Sequence, residues 1–213
     1  MSNSEDLLDA DELFHLAIKA SDVADHEKAI RFLKLSNQKD PQAKTAYLLA
    51  AEHAEIGMFD RAIEEMAHSV ELDPTLWTAH FQLGLLHFTQ GRAPEAAAAW
   101  SNLDVLGEDD ALFQFKSGFV LLSEDNLIQA KDCIEKGIEL NIQNPALNGD
   151  MKRVLADITK ALNPENEVDS ALEQSNAATV EAAKKEPEEV KTEGKDGKHL
   201  FLSLYGKDDD KGH

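Results

Sequence analysis

The sequence predicts an all-α protein, a superhelix of four helical hairpins followed by one closing helix and an acidic tail. Three observations predict this class. A bulky apolar residue stands four positions after each of a series of regularly spaced alanines, one helical turn along the same face. Another apolar helical pattern precedes each alanine, separated from it by a short turn-like patch. The spacings between the alanines are 33, 34 and 34 residues, a period typical of repeat proteins. The alanines are Ala29, Ala62, Ala96 and Ala130.

The third hairpin carries the pattern most clearly, with Leu83 and Gly84 in its first helix and Ala96 and Trp100 in its second. This order resembles the tetratricopeptide repeat family, whose pattern runs Trp-x-x-Leu-Gly-x-x-Tyr, then Ala-x-x-x-Phe, then Pro. Glu108 stands in the place of the proline, which is a departure from the family. The resemblance covers residues 10 to about 144 and implies repeats at about 10–42, 43–76, 77–110 and 111–144.

Small residues in the first helix of each hairpin explain how the two helices of a pair approach closely. Each faces the alanine of the second helix, and a bulky side chain in its place would push the pair apart. The small residues are Ala17, Ala50, Gly84 and Gly118. Local packing alone therefore accounts for the repeat spacing.

The segments outside the repeats differ in composition. Residues 1–9 form an N-terminal segment, and residues 145–162 form an amphipathic pattern that we expect to be a capping helix over the last hairpin. Residues 163–198 are acidic and poor in apolar side chains, so we expect a disordered linker. An apolar motif follows at residues 199–206, and residues 207–213 are a charged end.

A second apolar stripe runs along the first helix of each hairpin, away from the side that meets the second helix. The resemblance implies that this stripe faces the concave groove in which family members bind peptides, and an apolar groove usually marks a binding site. In the other interpretation, the aromatic rings of its first row pack against the next hairpin, and both interpretations remain open. The predicted groove residues are Phe14, Ile18, Tyr47, Leu48, Ala51, Phe81, Leu85, Phe88, Phe115, Phe119 and Leu122.

Charge limits the class of partner. The formal net charge is −20 and the sequence pI is about 4.6, so nucleic acid and anionic membrane surfaces would be repelled. No basic region followed by an apolar run opens the chain, and no run approaches the roughly 18 apolar residues of a membrane helix. A single cysteine fits a reducing compartment. We expect a cytoplasmic protein with a protein or peptide partner.

Catalytic and metal-binding signatures are missing from the sequence. It has no glycine-rich phosphate loop, no His-Glu-x-x-His and no Cys-x-x-Cys. We expect Cys133 to be a packed, inert thiol, and His53, His80 and His87 to be structural because they occupy places that are aromatic in the family. The sequence therefore predicts no catalytic residues, no metal site and no cofactor.

The octapeptide HLFLSLYG at residues 199–206 has no neighbouring sequence that could build a core around it. Eight residues alone cannot stabilise a helix or a strand, so we predict a linear motif that needs a partner surface. Its large apolar side chains are Leu200, Phe201, Leu202, Leu204 and Tyr205. The motif either docks on the groove of its own chain or recruits a second protein, and a terminus without a role is the remaining alternative.

These patterns together favour a non-enzymatic adaptor or chaperone-like module that binds an apolar peptide segment in its groove. Size and groove character resemble the small tetratricopeptide chaperones of bacterial secretion systems, a comparison that rests on fold alone. The alternative function is a self-assembling scaffold in which the motif of one chain fills the groove of another.

Overall fold

The computed structural model describes residues 7–163, and this part of the chain contains nine α-helices, a 3-10 helix at Asn102–Leu106 and no strand. The predicted all-α class is confirmed. No helix in the described range is long and apolar enough to cross a membrane. The helices are α1 (Ala10–Asp22), α2 (His26–Lys39), α3 (Ala43–Glu55), α4 (Phe59–Leu72), α5 (Trp77–Thr89), α6 (Ala93–Ser101), α7 (Ala111–Ser123), α8 (Leu127–Leu140) and α9 (Pro145–Leu162).

The helices stack in chain order as antiparallel pairs. Within the pairs, α1 packs on α2, α3 on α4, α5 on α6, and α7 on α8. The second helices α2, α4 and α8 also pack on the next helix along the chain, which for α8 is α9. Each hairpin therefore contacts its sequence neighbours, as in a solenoid.

The turn inside each hairpin has one residue in the left-handed region, at the same place in all four repeats. The residues are Ala24 (φ 56°), Gly57 (φ 77°), Gly91 (φ 71°) and Asp125 (φ 59°). Glycine adopts this conformation without steric cost, whereas the Cβ atom of alanine or aspartate makes it unfavourable. The repeated geometry shows that the turn is part of the repeat even where its residue type changes.

The third hairpin departs from the regular pattern in its second helix. Helix α6 ends at Ser101 and continues as a 3-10 helix, Asn102–Leu106, that packs on α5, α6 and α7. Gly107 then turns the chain with φ 75°, and the Asp110 side chain caps α7 by accepting from the backbone amide of Leu112. In this repeat Glu108 stands where the family has proline, and a 3-10 helix followed by Gly107 ends the second helix instead.

The small residues of the first helices lie where the paired helix approaches. A Cβ atom added to Gly84 would lie 2.0 Å from Nε1 of Trp100, and one added to Gly118 would lie 2.6 Å from Cγ1 of Ile134. Real Cβ atoms do not come this close to other heavy atoms, so both positions require glycine unless the partner ring or side chain moves.

Candidate functional site: the first-helix face

The side of α1, α3, α5 and α7 that points away from the second helices is called the first-helix face below. On α3, Ala50 packs against Ala62 and Met66 of α4. At 100° per residue, Leu48 lies on the opposite half of the helix, and Ala51 lies between the two sides, about 100° from Ala50. The first-helix face is therefore the surface on which the sequence places its groove.

Most of the predicted groove residues are covered in the structure. Eight are buried: Phe14, Tyr47, Leu48, Ala51, Phe81, Leu85, Phe115 and Phe119. The other three, Ile18, Phe88 and Leu122, are half-buried. Their role in peptide binding stays a prediction.

Aromatic stacking between the third and fourth hairpins accounts for much of this burial. The Phe81 ring lies 6.0 Å from that of Phe115 and 6.2 Å from that of Phe119. The Phe119 ring also lies 5.4 Å from Phe88 at an interplanar angle of 70°, and 5.7 Å from Trp100. Centroid distances in this range are typical of favourable aromatic pairs. These five rings form an inter-hairpin core, as the second interpretation of the aromatic row expected.

The rings of the first two hairpins are buried in two further clusters. Phe14 packs with Leu13, Leu33 and Leu49, and Nζ of Lys44 lies 4.8 Å from the centre of its ring. Tyr47 packs in a separate cluster formed by α3, α4 and α5. The aromatic row thus contributes to the packing of neighbouring hairpins along the whole stack.

Burial on the first-helix face is greatest in the middle of the stack. One register position is occupied by His15, Leu48, Gln82 and Lys116 in the four hairpins. His15 is exposed and Lys116 is half-buried, but Leu48 and Gln82 are each only 2% exposed. At this register the middle two hairpins therefore have uncharged, buried side chains. The outer two hairpins have ionisable side chains in the same place.

A buried polar cluster links the first two hairpins, and the sequence interpretation missed it. Glu52 of α3 is 0% exposed. Its carboxylate accepts from the Ser21 hydroxyl at 2.5 Å and from Nδ1 of His26 at 2.8 Å. A signal was present, because Glu52 is the single carboxylate between Ala43 and Ala54 in a helix otherwise rich in alanine and leucine. Its partners lie 26 and 31 residues away, so the pairing itself could not be predicted.

This cluster cannot work as a nucleophile with a base. The carboxylate stands between the hydroxyl and the imidazole, so the histidine does not contact the serine oxygen that it would have to deprotonate. Within residues 7–163, no three His, Cys, Asp or Glu side chains come together as a metal site would require. Burial raises the pKa of the Cys133 thiol, which keeps the unreactive protonated form at neutral pH.

The three histidines of the family's aromatic places lie inside the hairpins. His80 uses Nε2 to donate to the carbonyl of Pro74 at 3.1 Å. Burial is the main cause that lowers the pKa of His87, and the charge of Arg92 adds to it. Burial, followed by the positive charges of Lys34 and Arg61, lowers the pKa of His53 to about 4. The lowered pKa values of His53 and His87 favour neutral imidazoles at these two positions.

We expect His53 to make stability fall in mild acid. Its pKa in the unfolded chain is 6.5, so between pH 6.5 and 4 the unfolded chain binds a proton that the folded chain does not. Stability from this residue is complete above pH 6.5 and declines as pH falls towards 4, by about 1–3 kcal/mol. The substitution His53→Leu, which copies Leu121 of the fourth hairpin, should flatten this part of the profile in urea unfolding between pH 7 and 4. Replacing the half-buried His68 by glutamine is the control, and an unchanged slope in His53→Leu would contradict the assignment.

The linear motif, with Leu200, Phe201, Leu202, Leu204 and Tyr205, lies outside the described residues. So do the linker from residue 164 onward and the charged end at 207–213. Their predicted roles stay predictions.

Comparison with known proteins supports the architecture. No protein-family model matches the chain. No curated protein matches it either. A crystal structure of MamA protein matches with TM-score 0.53 and 23% identity, covering 84% of this chain and 98% of that chain. MamA from Desulfovibrio magneticus RS-1, residues 41 to the end, matches with TM-score 0.55 and 13% identity, covering 86% and 100%. Another crystal structure of MamA gives 0.53 and 20%, covering 62% and 77%. At these identities the likeness shows a shared fold.

Proposed function

We propose that this chain is a protein-binding module of the tetratricopeptide type that holds an apolar peptide segment on its first-helix face. The observation that carries the proposal is that the accessible groove residues, the half-buried Ile18, Phe88 and Leu122, are apolar, and that the buried residues Leu48, Ala51, Gln82 and Leu85, called the floor below, are uncharged in a chain whose net charge is −20. An acidic protein that keeps one surface free of charge favours an apolar ligand there. The module acts in the cytoplasm, without catalysis or cofactor.

Geometry restricts the ligand to a short segment. The floor spans the middle two hairpins, and neighbouring packed helices lie roughly 8–10 Å apart. A single extended strand or one short amphipathic helix matches this width, whereas a folded domain does not. Recognition would come mainly from apolar side chains of the ligand.

A displayed library of random dodecapeptides, selected against the full-length protein, tests the proposal. We expect enrichment of peptides with three or more large apolar residues and few acidic ones. Thr78→Glu combined with Leu122→Glu places charges on half-buried positions of the first-helix face and should weaken the selected peptides at least tenfold.

The control places the same charge where no groove exists. Val105→Glu with Ile128→Glu changes two apolar residues that are 72% and 65% exposed. Selected peptides should bind this variant as they bind the wild type. A library that yields no binder, or binders equally sensitive to both double variants, would overturn the proposal.

A further inference from the structure

The turns of the first two hairpins expose large apolar side chains. Val23 is 74% exposed, Ile56 44% and Met58 39%, and these three residues are called the turn-tip patch below. Val23 directly follows α1 and Ile56 directly follows α3, so the two occupy the same place in neighbouring repeats. Single exposed apolar residues are ordinary on a protein surface, whereas a group of them indicates an interaction site.

The backbone of the turn does not require apolar side chains at this place. Gln90 and Glu124 occupy it in the third and fourth hairpins. All four residues have nearly the same conformation, with φ between −103° and −90° and ψ between 7° and 13°. A polar side chain therefore ends the first helix equally well, and the apolar residues of the first two hairpins have another reason to be there.

The buried cluster around Glu52 joins the first two turns. Its carboxylate accepts from Ser21 and His26, which lie on either side of Val23 in the sequence. The backbone carbonyl of Glu52 accepts from the amide of Ile56 at 3.3 Å. Val23 and Ile56 are thus anchored through one residue, so the turn-tip patch is one surface shared by two hairpins.

Acidic residues accompany the turn-tip patch. The turn segments at 22–27 and 55–60 contain five acidic residues and no lysine or arginine. Lys19, Lys28 and Arg61 flank the two segments and offset three of these five charges, so the turns keep a net negative charge. The net charge of the whole chain, −20, has the same sign. A partner that complements this surface has apolar side chains flanked by positive ones.

We propose that the turn-tip patch binds a cationic amphipathic helix of a partner protein. Neighbouring packed helices lie roughly 8–10 Å apart. Residues seven apart on one face of a helix are separated by about 10.5 Å along its axis. One helix can therefore place an apolar side chain over each of the two turns, with lysine or arginine side chains beside the acidic residues. The patch lies at the helix ends, outside the predicted groove residues, so this inference goes beyond the proposed function.

Binding of a defined probe to the full-length protein tests the inference. The probe is a fluorescein-labelled peptide of about 18 leucine and lysine residues, with leucine at positions i, i+3, i+4 and i+7 of a helix. Val23→Gln with Ile56→Gln copies Gln90, whose backbone conformation is the same, so the variant keeps its turns. We expect it to bind the probe at least tenfold more weakly than the wild type does, because apolar contact is lost.

The matched control removes apolar side chains of similar size elsewhere. Val105→Gln with Ile142→Gln changes residues that are 72% and 85% exposed, and it should bind the probe as the wild type does. A peptide of the same composition in scrambled order should bind the wild type at least tenfold more weakly than the probe. Equal binding of the two peptides, or equal weakening by the two double variants, would refute the inference.

The contribution of charge is measured with a second pair of variants. Asp22→Asn with Glu27→Gln removes two exposed carboxylates beside the patch and should weaken binding about three- to tenfold at about 150 mM salt, with a smaller difference at about 500 mM. Asp132→Asn with Glu139→Gln changes the net charge equally on α8 and should have little effect. If both pairs weaken binding alike, the probe is attracted to the acidic chain as a whole and the patch is not its site.

The position of the bound probe distinguishes this surface from the first-helix face. Amide resonances of Val23, Ile56 and Met58 should shift when the probe binds, whereas those of Phe88 and Leu122 should not. A probe that shifts only Phe88 and Leu122 occupies the first-helix face. That result would overturn the inference and leave the proposed function standing.

Discussion

Replacing Trp100 by alanine is expected to lower the free energy of unfolding by about 3–5 kcal/mol. The side chain is 2% exposed, and its ring lies 5.7 Å from Phe119, 5.9 Å from Phe88 and 6.5 Å from Phe81. Nε1 also donates to the carbonyl of Phe81 at 3.0 Å. Removing the ring leaves a cavity where four helical elements meet, so the third and fourth hairpins lose their common core.

Urea unfolding followed by circular dichroism at pH 7 measures this effect. The other tryptophan supplies the control, because Trp77 is half-buried and stacks on His80 at 5.8 Å. We expect Trp77→Ala to cost less than half as much as Trp100→Ala. Equal costs would mean that the inter-hairpin core does not depend on Trp100.

The contact between Gly84 and Trp100 can be isolated by a double-mutant cycle. Gly84→Ala should destabilise the wild type by about 1–3 kcal/mol, although alanine favours helices more than glycine does. On the Trp100→Ala background the same change should be neutral or stabilising, which gives a coupling of at least about 1 kcal/mol. Gly149 of α9 is the matched control, since a Cβ there meets nothing within 4 Å. Gly149→Ala should stabilise by up to about 1 kcal/mol.

This glycine shows why the hairpins were predictable from the sequence. Gly84 and Trp100 lie 16 residues apart within one repeat, and the same small-to-large pairing recurs at Gly118 and Ile134. Repetition exposes a local packing rule, because each hairpin must satisfy the same geometry. Local periodicity is therefore enough to predict the class of fold.

The candidate site was less predictable because it depends on the packing angle between neighbouring hairpins. The sequence pattern predicted Phe81 as a groove residue, yet its ring lies against Trp100 of its own hairpin and reaches Phe115 of the next hairpin. Whether such a ring lines a groove or fills the gap between hairpins depends on the angle between them, which periodicity does not encode. The same limit applies to the 3-10 helix after Ser101, since its packing on α5 and α7 is a tertiary contact.

Removing the carboxylate of Glu52 is expected to destabilise the protein by about 3 kcal/mol in the substitution Glu52→Ala. Ser21 is 8% exposed, and its hydroxyl would lose its acceptor, while Nδ1 of His26 would lose its partner as well. A larger loss is expected when Ser21→Ala is combined with His26→Phe. That variant leaves a fully buried carboxylate with neither hydrogen-bond donor, the most costly state for a charged group.

The next interface of the stack supplies an apolar solution to the same packing problem. Shifted by one repeat, Ser21, His26 and Glu52 correspond to Ala54, Phe59 and Leu86. Those residues belong to one hydrophobic cluster between the second and third hairpins, in which Leu86 is 0% exposed. The triple variant Ser21→Ala, His26→Phe, Glu52→Leu should therefore unfold within about 1 kcal/mol of the wild type, or at higher urea.

The order of the three variants in urea unfolding at pH 7 decides the role of the cluster. If hydrogen bonding to a buried carboxylate is what joins the first two hairpins, the triple variant is the most stable of the three and the double variant the least stable. A triple variant no more stable than Glu52→Ala would contradict this, since the apolar set would then fail to fit an interface built on the same repeat. Because the fold repeats its geometry and not its side chains, a polar and an apolar interface can serve the same place in neighbouring hairpins.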